Sequence, residues 1–317
     1  MPFDYKSVIK SRKTRQRMLR FFDWVPDRVV VPMQYRIKLG RLPDLRNPQR
    51  FTEKLCWYKL NWRDHLMRQC VDKIAVRDYV RDCGLERILT PLLGVYDDPA
   101  EIDINALPSK FVLKDSLGGG NNEVIVCADK KAIDWKRACE QMREWVRPGR
   151  HRKHPGREWF YDTPGSSRII CEEYLEADRK DIGLVDYKFF CFQNGNVVNY
   201  LNVTADRKPG QGGQFGIFKV EGFRKTPNLR KDEKPLVLHI PEPPHYDEMI
   251  EVAKRLSRPF PHARVDLYDL GDCGGVRFGE ITFCDGSGYF PYEPDEFDFE
   301  IGKDFIIPNE VQQNKME

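Results

Sequence analysis

The chain has 317 residues, enough for about two packed units on a prior of one domain per roughly 150 residues. Hydrophobic residues make up 40% and charged residues 32%, with 23 Gly and 22 Pro spread along the chain, which excludes a low-complexity or globally disordered polymer. The net charge of +3 is the small difference between 52 basic and 49 acidic side chains, so a nucleic-acid binder with a uniformly basic surface is excluded too. No apolar run reaches the roughly 18 residues of a transmembrane helix, and the N-terminus lacks the apolar core of a secretory signal, so a cytoplasmic location is expected. The nine Cys contain no C-x-x-C pair, which points to reduced, mostly buried thiols rather than a structural zinc site.

Taken in chain order, residues 1–20 carry seven basic groups against Asp4 and run into Phe21-Phe22-Asp23-Trp24. Such a segment suits either peripheral contact with an anionic membrane or a solvated helix docking Phe21, Phe22 and Trp24 on the body; charge runs favour the second. The chain up to Leu93 reads mainly helical: Thr52 opens a helix over 53–62, and the spacing of Val71, Ile74, Ala75, Tyr79 and Val80 predicts another over 66–83. Strands at 111–113 and 124–126 flank Ser116-Leu117-Gly118-Gly119-Gly120-Asn121-Asn122, a hairpin with a glycine-rich loop. A helix follows at 133–146, then a basic surface loop from 147 and a strand at 168–175. Strands at 187–192 and 197–203 join across Asn194-Gly195, a hairpin turn signal. Residues 206–216 read as a polar mobile loop, 246–256 as a helix, and 263–270 with 276–283 as a closing hairpin. Helices and largely antiparallel strands in blocks define an α+β chain.

Two constellations carry chemistry. Lys114 ends a strand just before the glycine loop, where bare backbone N–H groups can approach phosphate oxygens; a plain hairpin tip is the bland alternative. The loop fits neither a P-loop nor a dinucleotide-binding glycine motif. In the last hairpin, a turn centred on Cys273 sets Asp266 opposite Glu280, with Arg264, Tyr268, Phe278 and Thr282 on the same face and Val265, Leu267, Ile281 and Phe283 on the other. Facing carboxylates repel unless a cation lies between them: either Mg²⁺ is held there or Arg264 neutralises the pair. His151 and His154 lie in the basic loop without a nearby acid in the sequence, and the loop reads as solvated rather than as an anion guide. No nucleophile elbow occurs.

These motifs resemble, in order, the ATP-grasp superfamily and within it the teichuronopeptide-biosynthesis (TupA-like) branch. The resemblance rests on Asn47-Pro48, Thr52-Glu53-Lys54, Asp72-Lys73 on a helix, Arg77-Asp78-Tyr79-Val80, Phe111 to Lys114, Cys171 to Leu175, Asp186 to Phe192, Arg264 to Tyr268, Phe278 to Phe283 and Asp285-Gly286-Ser287-Gly288. It implies a helical region over 1–93, a small lobe over 94–175 and a large lobe over 176–317. ATP would lie between the lobes, with Lys73 and Lys114 on its phosphates and Ser116, Gly118, Gly119, Gly120 and Asn121 in the loop closing over them. The backbone of Glu172, Glu173, Tyr174 and Leu175 would meet the adenine and Asp186 the ribose. Asp266, Glu280 and Thr282 would hold Mg²⁺, with Thr282 where many relatives carry Asn and Asp285 or water able to complete the shell. Arg264 and Lys188 would be catalytic, Arg264 stabilising charge on the transferred phosphoryl and the tetrahedral intermediate.

The implied activity is carboxylate–amine ligation through an acyl phosphate in cell-surface polysaccharide biosynthesis, joining an amino acid or amine to a uronic-acid-type sugar. A sugar or small-molecule kinase on the same fold, a glycosyltransferase and an inactive binding module are the alternatives. No nucleic-acid partner is expected.

Overall fold

The computed structural model describes residues 19–119, 123–177, 181–208, 212–272 and 274–308. Residues 1–18, Gly120, Asn121 and the turn residue Cys273 therefore lie outside the described residues. Four helices open this part: α1 (Asp27–Leu39), α2 (Phe51–Asn61), α3 (His65–Val71) and α4 (Val76–Asp82). The single helix expected over 66–83 is broken because the Asp72 carboxylate takes the backbone N–H groups of Ile74 and Ala75 at 2.8 and 3.2 Å, a local alternative to helical bonding. The break moves Asp72-Lys73 off a helix and lets the Lys73 N–H donate to the Ser116 carbonyl at 2.9 Å.

Strands β1 (Leu92–Tyr96), β2 (Phe111–Asp115), β3 (Val124–Cys127) and β4 (Ile169–Glu173) form an antiparallel sheet in the order β1-β4-β2-β3, with α5 (Trp135–Trp145) on one face. Phe111 and Leu113 alternate inward onto Ala138, Met142 and Trp145, so Val112 and Lys114 point to the opposite face. The edge strand β1 falls within and just beyond the stretch read as helical.

The larger sheet contains β5 (Asp186–Phe192), β6 (Val197–Lys208), β7 (Gly212–Lys219), β8 (Arg224–Lys225), β10 (His262–Asp269) and β11 (Val276–Thr282), in the order β11-β10-β5-β6-β7-β8. Most of 206–216, expected as a mobile loop, lies in the long strands β6 and β7; positions 209–211 are outside the described residues. A two-stranded ribbon pairs β9 (Leu229–Arg230) with β12 (Tyr292–Glu293). Helix α6 (Tyr246–Ser257) buries Met249, Val252, Ala253 and Leu256 in the core that holds Phe189, Cys191, Val265 and Leu267, the odd-numbered positions of β5 and β10. Even-numbered positions face the other way. At one end Phe51 of α2 covers that face, meeting Phe190, Phe192 and His262 at 5.2–5.9 Å between ring centroids. Helix α7 (Glu296–Asp304) packs beside α2, and farther along the same face the even-numbered positions are polar: Asp186, Lys188, Arg264 and Asp266, all buried.

Candidate active site

Strand register assembles the polar face. Asp266 pairs with Glu280 on one side and Lys188 on the other, while Arg264 lies opposite Thr282. Beyond Asp266 the expected register fails: Phe278 pairs with Leu267, not Tyr268, and is buried in the apolar core. Gly279 is the extra residue of a bulge, and a Cβ there would stand 2.9 Å from the Asp266 carbonyl oxygen.

Arg264 is the hub. Its Nε and Nη2 each donate to an Asp266 oxygen at 2.7 Å, and Nη2 also reaches Glu280 Oε1 at 2.9 Å and Thr282 Oγ1 at 3.1 Å. Its Nη1 donates to Asp285, whose other oxygen accepts from Arg230. On the far side of Asp266 stands Lys188, which also meets Asp186 at 2.6 Å. A buried series of alternating sign thus runs Asp186, Lys188, Asp266, Arg264, Asp285, Arg230. Burial by itself would raise the Asp266 carboxyl, but Arg264 and Lys188 outweigh it and hold the group down at about 2. The same carboxylates hold the Arg264 guanidinium well above its ordinary value against the opposing effect of burial. Glu280 differs: its side chain is 42% exposed.

The oxygen donors here are of the type Mg²⁺ takes, but the pair is neutralised by Arg264, the second of the two expected arrangements: its guanidinium bonds both Asp266 and Glu280. Among the described residues no group of three His, Cys, Asp or Glu side chains is disposed to hold a metal ion by itself. Mg²⁺ is commonly held by one or two carboxylates, with water and substrate phosphates completing its shell. Asp266, Glu280 and the Thr282 hydroxyl offer only hard oxygens on one face.

The smaller sheet brings together the other predicted residues. Lys114 Nζ lies 2.6 Å from Glu172 Oε2, and Arg77 Nη1 is 3.1 Å from the other oxygen of that carboxylate. Lys73 Nζ donates to the Gly118 carbonyl, so the lysine and the glycine loop are one unit. Ser116 is buried, and its hydroxyl accepts the Arg168 N–H at 3.2 Å, tying the loop to the sheet. A side chain at Gly118 would overlap Glu123, whereas Gly119 has open space beside it. Glu172 and Glu173 are paired with β2, and the Glu173 N–H donates to Pro91, so the stretch free of the ladder starts at Tyr174 and Leu175.

Sequence reasoning missed three partners. Arg230 has no local signal; it becomes visible only when β9 delivers it to Asp285 and stacks it 4.3 Å from the Phe290 ring centre. Arg77 belongs to the Arg77-Asp78-Tyr79-Val80 motif, but nothing in the sequence assigns it a role. The third is a network beneath the turn at Asp285–Gly288. Lys59 Nζ, fully enclosed, donates to the Gly156 and Ser287 carbonyls at 2.8 and 2.7 Å and to the Tyr289 hydroxyl at 2.9 Å, while the Ser287 hydroxyl donates to Glu158. The basic loop is also less solvated than expected. His151 meets Asp115 at 3.1 Å, Arg150 meets Glu123 at 2.9 Å, and Arg157 is buried.

Burial pushes the Glu158 carboxyl from 4.5 up to about 7, against the pull of Lys59 and Ser287. A carboxyl raised on folding adds stability that is full below about pH 4.5 and lost as pH rises through 7. Glu158→Gln should therefore melt close to the parent at pH 5 and exceed it at pH 8, by on the order of 2 kcal/mol. Parallel thermal or urea melts at the two pH values check this; a difference independent of pH would contradict it.

Two antiparallel sheets, a lysine-anchored glycine loop and a carboxylate pair on the closing hairpin define an ATP-grasp α+β protein with a helical N-terminal region. The chain belongs to the TupA-like ATP-grasp family, whose model matches residues 53–306. Among curated proteins none matches it. Solved structures similar to it include D-alanyl-alanine synthetase A from Vibrio cholerae O1 biovar eltor, at 10% identity and TM-score 0.41, covering 73% of this chain and 57% of that one. The ATP-grasp ligase PsnB complexed with minimal precursor is 13% identical at TM-score 0.37, over 71% of this chain and 54% of that one. D-Alanine-D-alanine ligase from Helicobacter pylori is 13% identical at TM-score 0.41, over 75% and 61%. The chain thus spans between 54% and 61% of the length of these three proteins.

Proposed function

We propose that the chain is an ATP- and Mg²⁺-dependent carboxylate–amine ligase of cell-surface polysaccharide biosynthesis, joining an amino acid or amine to a uronic-acid-type sugar. The observation that carries this reading is Arg264 set between Asp266 and Glu280, with Lys188 behind them: preorganised charge of both signs on one strand face. Membership of the TupA-like family supports the polysaccharide context.

In the proposed reaction a carboxylate oxygen of the sugar attacks the γ-phosphorus of ATP and ADP leaves. The amine nitrogen then attacks the acyl carbon, the amine loses a proton, and phosphate departs as the amide forms. Asp266, Glu280 and Thr282 would hold Mg²⁺, which when bound supplies charge neutralisation to the phosphates. Lys73 and Lys114 would lie on those phosphates. Glu172 orients Lys114 by its 2.6 Å contact, so the ammonium is aimed before ATP arrives. Gly119, open on its side-chain flank, would let the loop backbone close on the nucleotide, together with Gly120 and Asn121. Tyr174 and Leu175 supply main chain for the adenine, and Asp186, already turned toward Lys188, would meet the ribose. Arg264 would face negative charge on the transferred phosphoryl and the tetrahedral intermediate, and Lys188 would keep Asp266 ionised beside it. Such a site needs little covalent chemistry from the protein.

Mass spectrometry of products from ATP, Mg²⁺ and panels of uronic acids and amines tests the reading. An amide, with hydroxylamine trapping of the acyl phosphate, is expected. A stable phosphorylated sugar without amide would replace the ligase by a kinase.

A further inference from the structure

Twelve large apolar side chains are exposed among the described residues, and seven of them fall between positions 21 and 42. That clustering falls on one short stretch of chain, the helix over 27–39 and the residues beside it. Phe21, Trp24 and Val29 are 75%, 79% and 57% exposed, contrary to the expectation that the aromatics dock on the body. Helix α1 has two apolar faces. Val31, Tyr35 and Leu39 pack on Cys56, Leu60 and Tyr289, whereas Val29, Met33 and Ile37, spaced four apart, form an outward stripe; Leu42, past the end of the helix, is exposed too. Exposed Arg36 lies on the same helical face, seven residues after Val29.

This surface is held in place. Buried Arg157 donates to the Phe22 carbonyl at 2.7 Å and meets Asp27 at 3.3 Å; Lys153 meets Asp27 at 2.9 Å, and Arg20 donates to the Arg150 carbonyl at 2.9 Å. The backbone ahead of α1 is therefore tied to the basic loop while its aromatic side chains point away. Asp23 and Asp27 are the only acids between 19 and 42, and both lie against Arg157. Residues 147–157 contain five Lys or Arg and no acid, with Arg147 and Arg152 exposed.

We propose that the outward face of residues 21–42 is a membrane-surface docking site: Trp24 and the Val29, Met33, Ile37 stripe enter the headgroup boundary of an anionic bilayer, and the neighbouring arginines meet its lipid phosphates. Aromatic and aliphatic residues on one face with cations around them are the signature of interfacial binding. The charge selects the occupant. A second copy seated face to face would bring two sets of arginines together, whereas anionic headgroups neutralise them. Among the described residues no helix is long and apolar enough to cross a membrane. The inference is independent of the proposed ligase activity.

The test uses the full chain and vesicles of phosphatidylcholine with and without phosphatidylglycerol. The parent should sediment with the anionic vesicles and far less with neutral ones, weakening as salt screens the charges. Trp24→Ser combined with Met33→Ser and Ile37→Ser should lower the partition coefficient at least about tenfold without moving the melting temperature, because these side chains are exposed. Arg147→Glu with Arg152→Glu should also weaken binding, through charge alone. Tryptophan emission should shift to the blue on vesicle addition, and Trp24→Phe should remove that shift. Undiminished sedimentation of the triple variant would overturn the proposal, as would a blue shift surviving Trp24→Phe. Binding lost only on deletion of residues 1–18 would transfer the role to that basic segment. Dimerisation abolished by the triple variant, without vesicle binding by the parent, would make a second copy the occupant and equally refute it.

Discussion

Glu280→Gln should lower turnover at least about a hundredfold while the protein melts within about 1 kcal/mol of the parent, because the two effects have different origins. With its side chain 42% exposed, Glu280 touches Arg264 and Thr282 only at one oxygen, so its ion pair adds little to stability. The amide of Gln keeps an oxygen acceptor for both neighbours and removes only the charge. If Glu280 holds the cation of the reaction, losing that charge removes preorganised stabilisation of the transition state, of the kind worth about 3–4 kcal/mol. If Glu280 merely orders Arg264, the amide serves as well and turnover stays near normal. Steady-state kinetics across a Mg²⁺ titration separates the cases: normal kcat at normal Mg²⁺ in the variant removes Glu280 from the metal site.

Much of this face was legible because a β-hairpin converts turn position into cross-strand pairing. Arithmetic on the turn brings Asp266 to Glu280 and Arg264 to Thr282, the pairs found. It fails at the next residue toward the turn, Leu267, which pairs with Phe278 because Gly279 inserts a bulge. A lone glycine in a strand signals that event without fixing its size or side. The break at Asp72 was hidden for a related reason: apolar spacing over 66–83 continues across it, and only the capping carboxylate and the loop contact of Lys73 show why the helix must stop. Residues contributed by distant elements were out of reach altogether. Arg230 and Asp285 are 55 positions apart, and nothing local marks either as the partner of the other. The N-terminal aromatics misled in the opposite sense. Apolar residues are expected to be covered, yet the ties from Arg157, Lys153 and Arg20 hold the backbone and leave Phe21 and Trp24 outside.

Arg264→Met should destabilise the fold by about 3–5 kcal/mol at pH 7, the cost of removing one partner from a buried ion pair, and abolish activity with it. The methionine approximates the volume of the aliphatic stem, so packing loss is small and the deficit is electrostatic. Asp266 keeps Lys188 and Asp285 keeps Arg230, but each loses its contact with the central guanidinium, and Glu280 loses the one cation it pairs with among the described residues. Arg264→Lys should not rescue the variant, since one ammonium cannot reproduce a fork that reaches four side chains. The pH dependence identifies the cause. In the parent, Asp266 is depressed to about 2, so its contribution is present above the ordinary carboxylate range near 3.8 and is lost only as pH falls through 2. Without Arg264 the effect of burial on Asp266 is offset by Lys188 alone, so its carboxyl rises and takes up a proton more readily as pH falls, which relieves the repulsion. The stability gap between parent and Arg264→Met should therefore be widest at pH 7 and narrow toward pH 4.5, as read from urea melts at both values. Asp285→Asn in the Arg264→Met background should recover part of the loss, by removing one of the carboxylates left without its partner. A gap of constant size across that range, with no recovery in the double variant, would assign the loss to packing and break the electrostatic account of the hub.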